Sequence, residues 1–331
     1  MGSLRAELTW RPLADHPLVA YVLRRLAVGV FLLFLASVFI FGATQALGNP
    51  AAAILGPHVP PVARQQLDKE LGLNRPVLAQ YGSWLWAFLH GNLGRSLSTR
   101  QPVAQYLAPR LVDTLTLAGV ALAVIVPLAL LLGVWSAIRR NGVIDHLVSF
   151  VSLGAIAVPE FVTGTLLVVL FGVVLRLLPA ASLPTPGTNP LLTPSILVLP
   201  IATLTVAGLA YLVRMVRAGL IEVLDSEYVL MARLNGIPEG RVIWRHAVRN
   251  AMAPTIQVLA QTIQWLIGGI VVTETVFSYP GFGSAFYNAV SLRDITVVQA
   301  AGMLVAGFYI SINVVADLVV VMLIPKLRTA R

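Results

Sequence analysis

Charged residues are scarce in this chain: they make up 11% of its 331 residues, against about a quarter in an ordinary soluble domain. Hydrophobic residues make up 57%, and the mean hydropathy is +0.84. A soluble protein cannot cover so much apolar surface with polar side chains. The composition therefore indicates an integral membrane protein.

Cysteine is absent, which excludes disulfides, thiolate catalysis and cysteine-ligated metals. The net charge of +9 does not predict nucleic-acid binding, because the basic residues are not gathered into one footprint on a recognisable nucleic-acid-binding fold. They lie between apolar runs instead. In that position they would orient the chain in a lipid membrane.

Several functional motifs are also missing. No G-x-x-x-x-G-K-[ST] phosphate loop occurs, and the glycine-containing segment 91–96 is too short and has no lysine. The chain has neither the G-x-S-x-G serine nor the H-E-x-x-H zinc pair of hydrolytic enzymes, and no paired aspartates within apolar runs. An intramembrane enzyme is therefore only a distant alternative.

Six segments are apolar and long enough to cross about 30 Å of hydrocarbon, which takes about 20 helical residues. They cover roughly 26–46, 114–138, 147–175, 195–215, 255–277 and 296–323. Only helices and closed barrels satisfy their backbone groups in lipid. We therefore expect an all-α integral membrane fold with six transmembrane helices in a domain at 21–331, after a cytoplasmic N-terminal extension at 1–20.

Positive charge in short loops predicts the orientation, because these loops remain in the cytoplasm. On the six-span count, four basic groups share one side: Arg24 and Arg25, Arg139 and Arg140, the arginines between Arg214 and Arg249, and Lys326, Arg328 and Arg331. Both termini are therefore predicted to be cytoplasmic.

The loop at 48–110 is predicted to be extracytoplasmic. Within it, residues 61–71 are expected to form a short helix, and 81–89 a second, aromatic one. Trp84, Trp86 and Phe88 would make the second helix interfacial, or they would close a small loop domain.

The most polar stretch is the predicted cytoplasmic loop at 220–254. Ser226 is placed to cap a helix, Gly236 can end it in a left-handed conformation, and Pro238 can begin a second helix. Two short helices joined at a glycine form a compact knob. Its apolar residues Tyr228, Met231, Ala232 and Leu234, with Arg233, suit docking into a groove on a soluble protein. The alternative is a basic loop that only fixes topology.

The sequence of this loop closely resembles the EAA-type loop of ATP-binding-cassette (ABC) importer permeases, in particular the oligopeptide, dipeptide and nickel permease family. The matching positions are Glu227-Tyr228-Val229, Ala232-Arg233, Gly236, Val242-Ile243, His246-Ala247, Asn250-Ala251 and Pro254. Leu234-Asn235 departs from the small-Lys pair that is usual there, which could alter the choice of partner.

Other segments resemble the first of the two paired permeases in these systems, and the similarity extends over about residues 20–328. They are 70–76, 91–96, Pro102-Val103, 273–283, Arg293-Asp294 and Val298-Gln299. Ile324-Pro325 stands where Asp-Pro is common.

The resemblance implies the type I ABC importer permease fold and transport by alternating access across the bacterial plasma (inner) membrane. Its implied partners are a second permease in a heterodimer, two ATP-binding subunits and an extracytoplasmic substrate-binding protein. This chain would hold no cofactor, since ATP and Mg would be bound by the partner subunits. The implied cargo is di- or oligopeptides, with nickel chelates, glutathione or haem as alternatives.

Site residues follow from the same resemblance. Coupling to the ATPase is expected to involve Glu227, Tyr228, Ala232, Arg233, Gly236 and His246. His246 is expected to order the loop through hydrogen bonds rather than to bind a metal.

Ionisable residues within the spans are candidates for function, because a charge at mid-bilayer costs about 2.5–3.5 kcal/mol on insertion scales. Glu160 is a candidate pathway residue or a satisfied structural carboxylate. Glu274 is a candidate gate or helix-packing residue, or a contact for the binding protein. Asp317 is expected to be structural and paired with a basic residue.

Overall fold

A computed structural model of the chain describes residues 17–46, 62, 69, 74–184 and 189–323. Its main helices are α1 (Pro17–Ala46), α2 (Val77–Leu89), α3 (Val103–Ile138), α4 (Val143–Ala157), α5 (Glu160–Leu167), α6 (Ser195–Leu224), α7 (Glu227–Leu234), α8 (Glu239–Arg241), α9 (Val248–Val276), α10 (Phe282–Ser291) and α11 (Ile295–Leu323). In the described residues, α1, α3, α6, α9 and α11 are long and apolar enough to span a membrane. The predicted all-α membrane fold is confirmed.

The third predicted span is broken rather than continuous. Helix α4 and the pair formed by α5 with a π-helical turn at Val168–Val174 meet at an angle of 100°. Pro159 has no N–H to donate, and its ring forces Val158 into an extended conformation (φ −92°, ψ 122°). The bent pair makes the sixth span if it is counted as one.

Helices α3 and α6 form the centre of the bundle. Their buried side chains recur every fourth residue on α3, which places them along one face. These side chains are Leu117, Ala121, Ile125 and Ala129, and they pack with Leu204, Leu212, Val213, Val216 and Leu220 of α6. Helix α3 continues through Pro109 and Pro127, and α6 through Pro200.

A close approach between these two helices occurs at Gly133. A Cβ atom there would lie 2.8 Å from the Cβ of Val216 and 3.0 Å from the carbonyl oxygen of Val213. Any larger residue would therefore push α3 and α6 apart.

Helix α3 begins at Val103, within the segment predicted as loop. Val103 and Leu107 are buried in a cluster with Phe282, Ala285, Ala289, Val297 and Ala301 from α10 and α11. These apolar contacts extend the helix beyond its predicted start at 114, because they bury its first turns against protein rather than lipid.

The aromatic helix predicted at 81–89 is present as α2. Tyr81 and Trp84 pack on Phe41 of α1, with ring centroids 5.4 and 5.6 Å apart. Trp86, in contrast, is 67% exposed and lies against the His90 ring. One face of α2 thus closes onto the bundle, and Trp86 remains outside. The helix predicted at 61–71 lies outside the described residues except for Val62 and Lys69, as do residues 1–16 and the basic residues after 323.

We expect Gly133→Ala to destabilise the protein although alanine is the better helix former, because overpacking a core typically costs about 1–3 kcal/mol. Gly119→Ala on the same helix is the matched control, since a Cβ there meets nothing within 4 Å, and alanine should stabilise it by up to about 1 kcal/mol. The thermal unfolding midpoint in detergent measures both. Equal midpoints for the two variants would contradict the close approach.

Candidate functional site

The predicted knob, residues 226–247, is formed largely as its sequence suggested. Helix α7 starts after Ser226 and ends before Gly236, whose φ of 74° is the left-handed conformation that favours glycine. Pro238 then precedes α8. One detail differs: the Ser226 hydroxyl does not cap α7 but donates to the Val223 carbonyl at 2.5 Å.

The second helix of the knob is continuous with a membrane span. Helix α8 continues through a π-helical stretch, Val242–Ala247, directly into α9. The knob therefore lies between two spans without a flexible linker. Its first helix follows the end of α6 at once, and its second helix is the start of α9.

A small apolar core fixes the knob to the bundle. Val229, Ala232 and Val242 are buried together, and Val223, Leu224 and Ile237 pack against them. Ala232, which was predicted on the docking face, instead points inward and is 8% exposed. It packs with Val229 and Val242.

Hydrogen bonds also join the first helix of the knob to the segment that follows its second helix. The Tyr228 hydroxyl donates to the His246 carbonyl at 3.2 Å and accepts from the Asn250 side chain at 2.8 Å. His246 thus contributes its backbone oxygen, and this bond does not use its ring. Among the described residues, no cluster of His, Asp and Glu could hold a metal.

Arg233 forms an ion pair across the glycine turn. Its guanidinium donates to both oxygens of Glu239, at 2.7 and 3.2 Å, and this hydrogen-bonded contact lowers the pKa of the Glu239 carboxyl. Both side chains are solvent-exposed, so the pair contributes at most about 1 kcal/mol. It orients Arg233 rather than leaving it free.

The outward face of the knob is apolar. Met231 is 61% and Leu234 72% exposed, and Leu230, Trp244 and Tyr228 are also exposed. Glu227 lies exposed in the first turn of α7. Several large apolar side chains of the knob are thus exposed on an otherwise polar segment. The sequence analysis had not singled out Leu230 and Trp244.

An ion pair with a buried carboxylate supports the bundle at the same end as the knob. The guanidinium of Arg217 on α6 donates to both oxygens of Asp145, at 2.5 and 2.7 Å. Ser136 and the Asn141 amide also donate to this carboxylate. The sequence analysis missed this pair, whose only signal was an isolated Asp at the start of an apolar run. It joins the ends of α3, α4 and α6.

Arg140 connects the same region to the knob. It donates to Asp225 at 2.9 Å, so the loop after α3 and the residue before the knob lie at one end of the molecule. Arg25 of α1 pairs with Asp317 of α11, as predicted for Asp317.

Glu274 is fully buried near the end of α9, at the end of the bundle opposite the knob. Its carboxylate joins several segments there. Thr114 donates to one of its oxygens, and the Ser284 amide donates to the other at 2.9 Å. The Phe282 amide in turn donates to the Thr114 hydroxyl at 2.7 Å. Glu274 and Thr114 therefore satisfy the first free N–H groups of α10, as a helix cap does.

Gly281 is required for this arrangement. A Cβ there would lie 2.0 Å from a Glu274 oxygen, so only glycine admits the carboxylate. Of the roles considered for Glu274, helix packing agrees with these contacts.

Asp294 is a second buried carboxylate at this end. It accepts from the Ser96 hydroxyl at 2.6 Å and from the amide and hydroxyl of Ser98 at 3.1 and 2.9 Å. The segments 91–96 and Arg293-Asp294, which are distant in sequence, thus meet, and Asp294 also lies within 3.3 Å of the Val297 amide at the start of α11.

Glu160 lies at the bend of the third span. Thr273 of α9 donates to one of its oxygens, and the carboxylate lines a cavity of about 520 Å³. The structure thus places Glu160 at a cavity, whereas Glu274 lies in the protein interior.

Taken together, the described helices form an all-α membrane bundle with a compact knob at one end. Residues 129–329 match the model of the family described as "Binding-protein-dependent transport system inner membrane component", and residues 18–118 match its N-terminal counterpart. The chain belongs to this family.

Relatives of nearly the same length support this assignment. A Brucella abortus protein provisionally named as a peptide transport system permease is 34% identical over 312 residues, 94% of this chain and 99% of the relative. The dipeptide transport system permease protein DppB of Alkalihalophilus pseudofirmus is 30% identical over 332 residues, 94% of this chain and 100% of the relative.

Thr114→Val should destabilise the protein, because it leaves the Phe282 amide without its acceptor in a buried site, at a cost of about 1–3 kcal/mol. Thr116→Val is the control on the same helix, since that exposed hydroxyl bonds only the Val112 carbonyl. Thermal unfolding in detergent and protease sensitivity between α9 and α10 report the effect. If both variants unfold alike, Thr114 does not hold α10.

Proposed function

We propose that this chain is a permease subunit of an ABC importer for peptides and that it forms half of an alternating-access pathway. The observation that carries the proposal is the rigid knob at 226–247, which lies between two spans of a chain belonging to a transport family. The names of the relatives favour di- or oligopeptides as cargo. No specific observation favours nickel chelates, glutathione or haem, or an intramembrane enzyme.

The partners that we propose are a second permease, two ATP-binding subunits and an extracytoplasmic substrate-binding protein. The chain has no phosphate-binding loop, which supports assigning ATP and Mg to the ATP-binding subunits. Six spans enclose only half a pathway in such systems, so we expect a heterodimer.

The orientation that we propose places the knob and both termini in the cytoplasm, with the chain in the bacterial inner membrane. The contact between Arg140 and Asp225 supports it, because it brings the basic loop after α3 to the end that carries the knob and its arginines. Short loops rich in Arg remain cytoplasmic.

Coupling between ATP and transport would be mechanical. The ATPase would hold Met231, Leu234 and Tyr228 in a groove, and closure of the two ATPases would displace the knob. Since the knob is joined directly to α6 and α9, its displacement would tilt both helices. Such coupling requires contacts that differ between the two states.

Leu234→Glu should reduce binding of the ATP-binding subunits by about tenfold or more, because it places a charge in an apolar contact. Leu192→Glu is the matched control, since Leu192 is 76% exposed in a turn before α6, at the end away from the knob. Co-purification and peptide-stimulated ATPase activity in lipid measure the effect. Normal coupling in Leu234→Glu would mean that the knob does not dock the ATPase.

A further inference from the structure

The cavity at the bend of the third span lies between three helical segments. Ala155, Ile156 and Val158 line it on the side of α4, Ala207, Gly208 and Tyr211 on α6, and Gln261, Thr262 and Trp265 on α9. Its volume of about 520 Å³ falls within the range of small-molecule sites. Among the described residues that line it, Glu160 is the only carboxylate, and none is Lys or Arg.

The face of α9 at this cavity is unsuited to lipid. Gln257, Gln261 and Trp265 recur every fourth residue and are exposed in the single chain. Amide side chains facing hydrocarbon would lose their hydrogen bonds, so polar residues in spans face a partner helix or a water-filled cavity. On the proposed function, this polar face and the cavity beside it would lie toward the second permease and the pathway between the two.

Glu160 retains capacity to bind a donor. Thr273 donates to one carboxylate oxygen, and within the described part of the chain the other oxygen accepts no hydrogen bond. Two aromatic side chains, Tyr211 and Trp265, line the same cavity. A cavity that holds a carboxylate with free acceptor capacity and two aromatic side chains suits an organic cation, since ammonium groups bind both carboxylates and aromatic rings.

Resting on the proposed function, we propose that this cavity is a solute site in which Glu160 accepts an ammonium group of the transported molecule. For a peptide, the ammonium group is either the free amino terminus or a lysine side chain. The single carboxylate would then select cationic ends of solutes on their way through the permease.

The charge of the cavity can be tested with an introduced thiol. Since the sequence has no cysteine, Gln261→Cys gives one reactive site in this chain, which is followed by the mass of the chain in the complete transporter. Cationic aminoethyl methanethiosulfonate should react faster than its anionic sulfonatoethyl analogue by about tenfold, relative to a free thiol in solution. Glu160→Gln should abolish this preference and Glu160→Asp should retain it. Glu222→Gln, at an exposed glutamate outside the cavity, should leave it unchanged.

Peptide protection identifies the group that is bound. The rate at which N-ethylmaleimide labels Cys at position 261 is measured with each of three peptides present. Trialanine has a free amino terminus, and N-acetyl-Ala-Lys-Ala amide has only a side-chain ammonium. N-acetyl-trialanine, which has neither group, is the control. Protection by either amine-bearing peptide supports the proposal and tells the two sources apart, provided that Glu160→Gln abolishes it. Equal protection by N-acetyl-trialanine, or a cationic preference that survives Glu160→Gln, overturns it.

The two proposals fail separately. Absence of ATP-dependent peptide uptake by the wild-type transporter would contradict the proposed function, whereas the thiol rates would still report the charge of the cavity. Normal uptake together with no effect of Glu160→Gln on either thiol assay would overturn only the amine site.

Discussion

In a bilayer, every polar group away from water has to find its partner within the protein, and this constraint determines how the helices of this chain are joined. Asp145, Glu274 and Asp294 are each buried, and each accepts hydrogen bonds from a segment distant in sequence or from another helix. The apolar faces bring helices together without strong direction, because lipid is as apolar as they are. The carboxylates therefore determine which helix ends meet.

These buried carboxylates lie at both ends of the bundle. The pair of Asp145 and Arg217 holds the end near the knob, where α6 leads into α7. Glu274 and Asp294 hold the opposite end, where they cap α10 and anchor the segment before α3. Between them, Gln261 of α9 forms no hydrogen bond within the described part of the chain, as the proposed solute site requires.

Local signals in the sequence predicted local structure well. Gly236 and Pro238 marked the ends of the knob helices, and the apolar runs predicted the spans, because these features depend on nearby residues. The contacts of Glu274 with Thr114 and of Asp294 with Ser96 join residues 160 and 198 positions apart, and no local pattern encodes them. The sequence also could not show that Ala232 points inward, since both faces of α7 are partly apolar.

The effect of each proline could not be predicted from the local sequence either. Helices α3 and α6 continue through Pro109, Pro127 and Pro200, whereas the chain breaks at Pro159. At Pro159 tertiary contacts accompany the bend: Thr273 bonds the Glu160 side chain directly after the break, and Gly164 lets α5 approach Phe277 and Thr203 closely. A proline weakens the helix at its own position, and contacts distant in sequence, which no local pattern encodes, hold the bent geometry.

The break at Pro159 has a consequence for biogenesis. Helix α4 has 15 residues, which extend over about 22 Å at 1.5 Å per residue, less than the hydrocarbon thickness of about 30 Å. It cannot complete a crossing by itself when it leaves the ribosome. Its Asp145 carboxylate also lacks its Arg217 partner until α6 has been synthesised, so the contacts that hold α4 are completed only when a later segment of the chain is present.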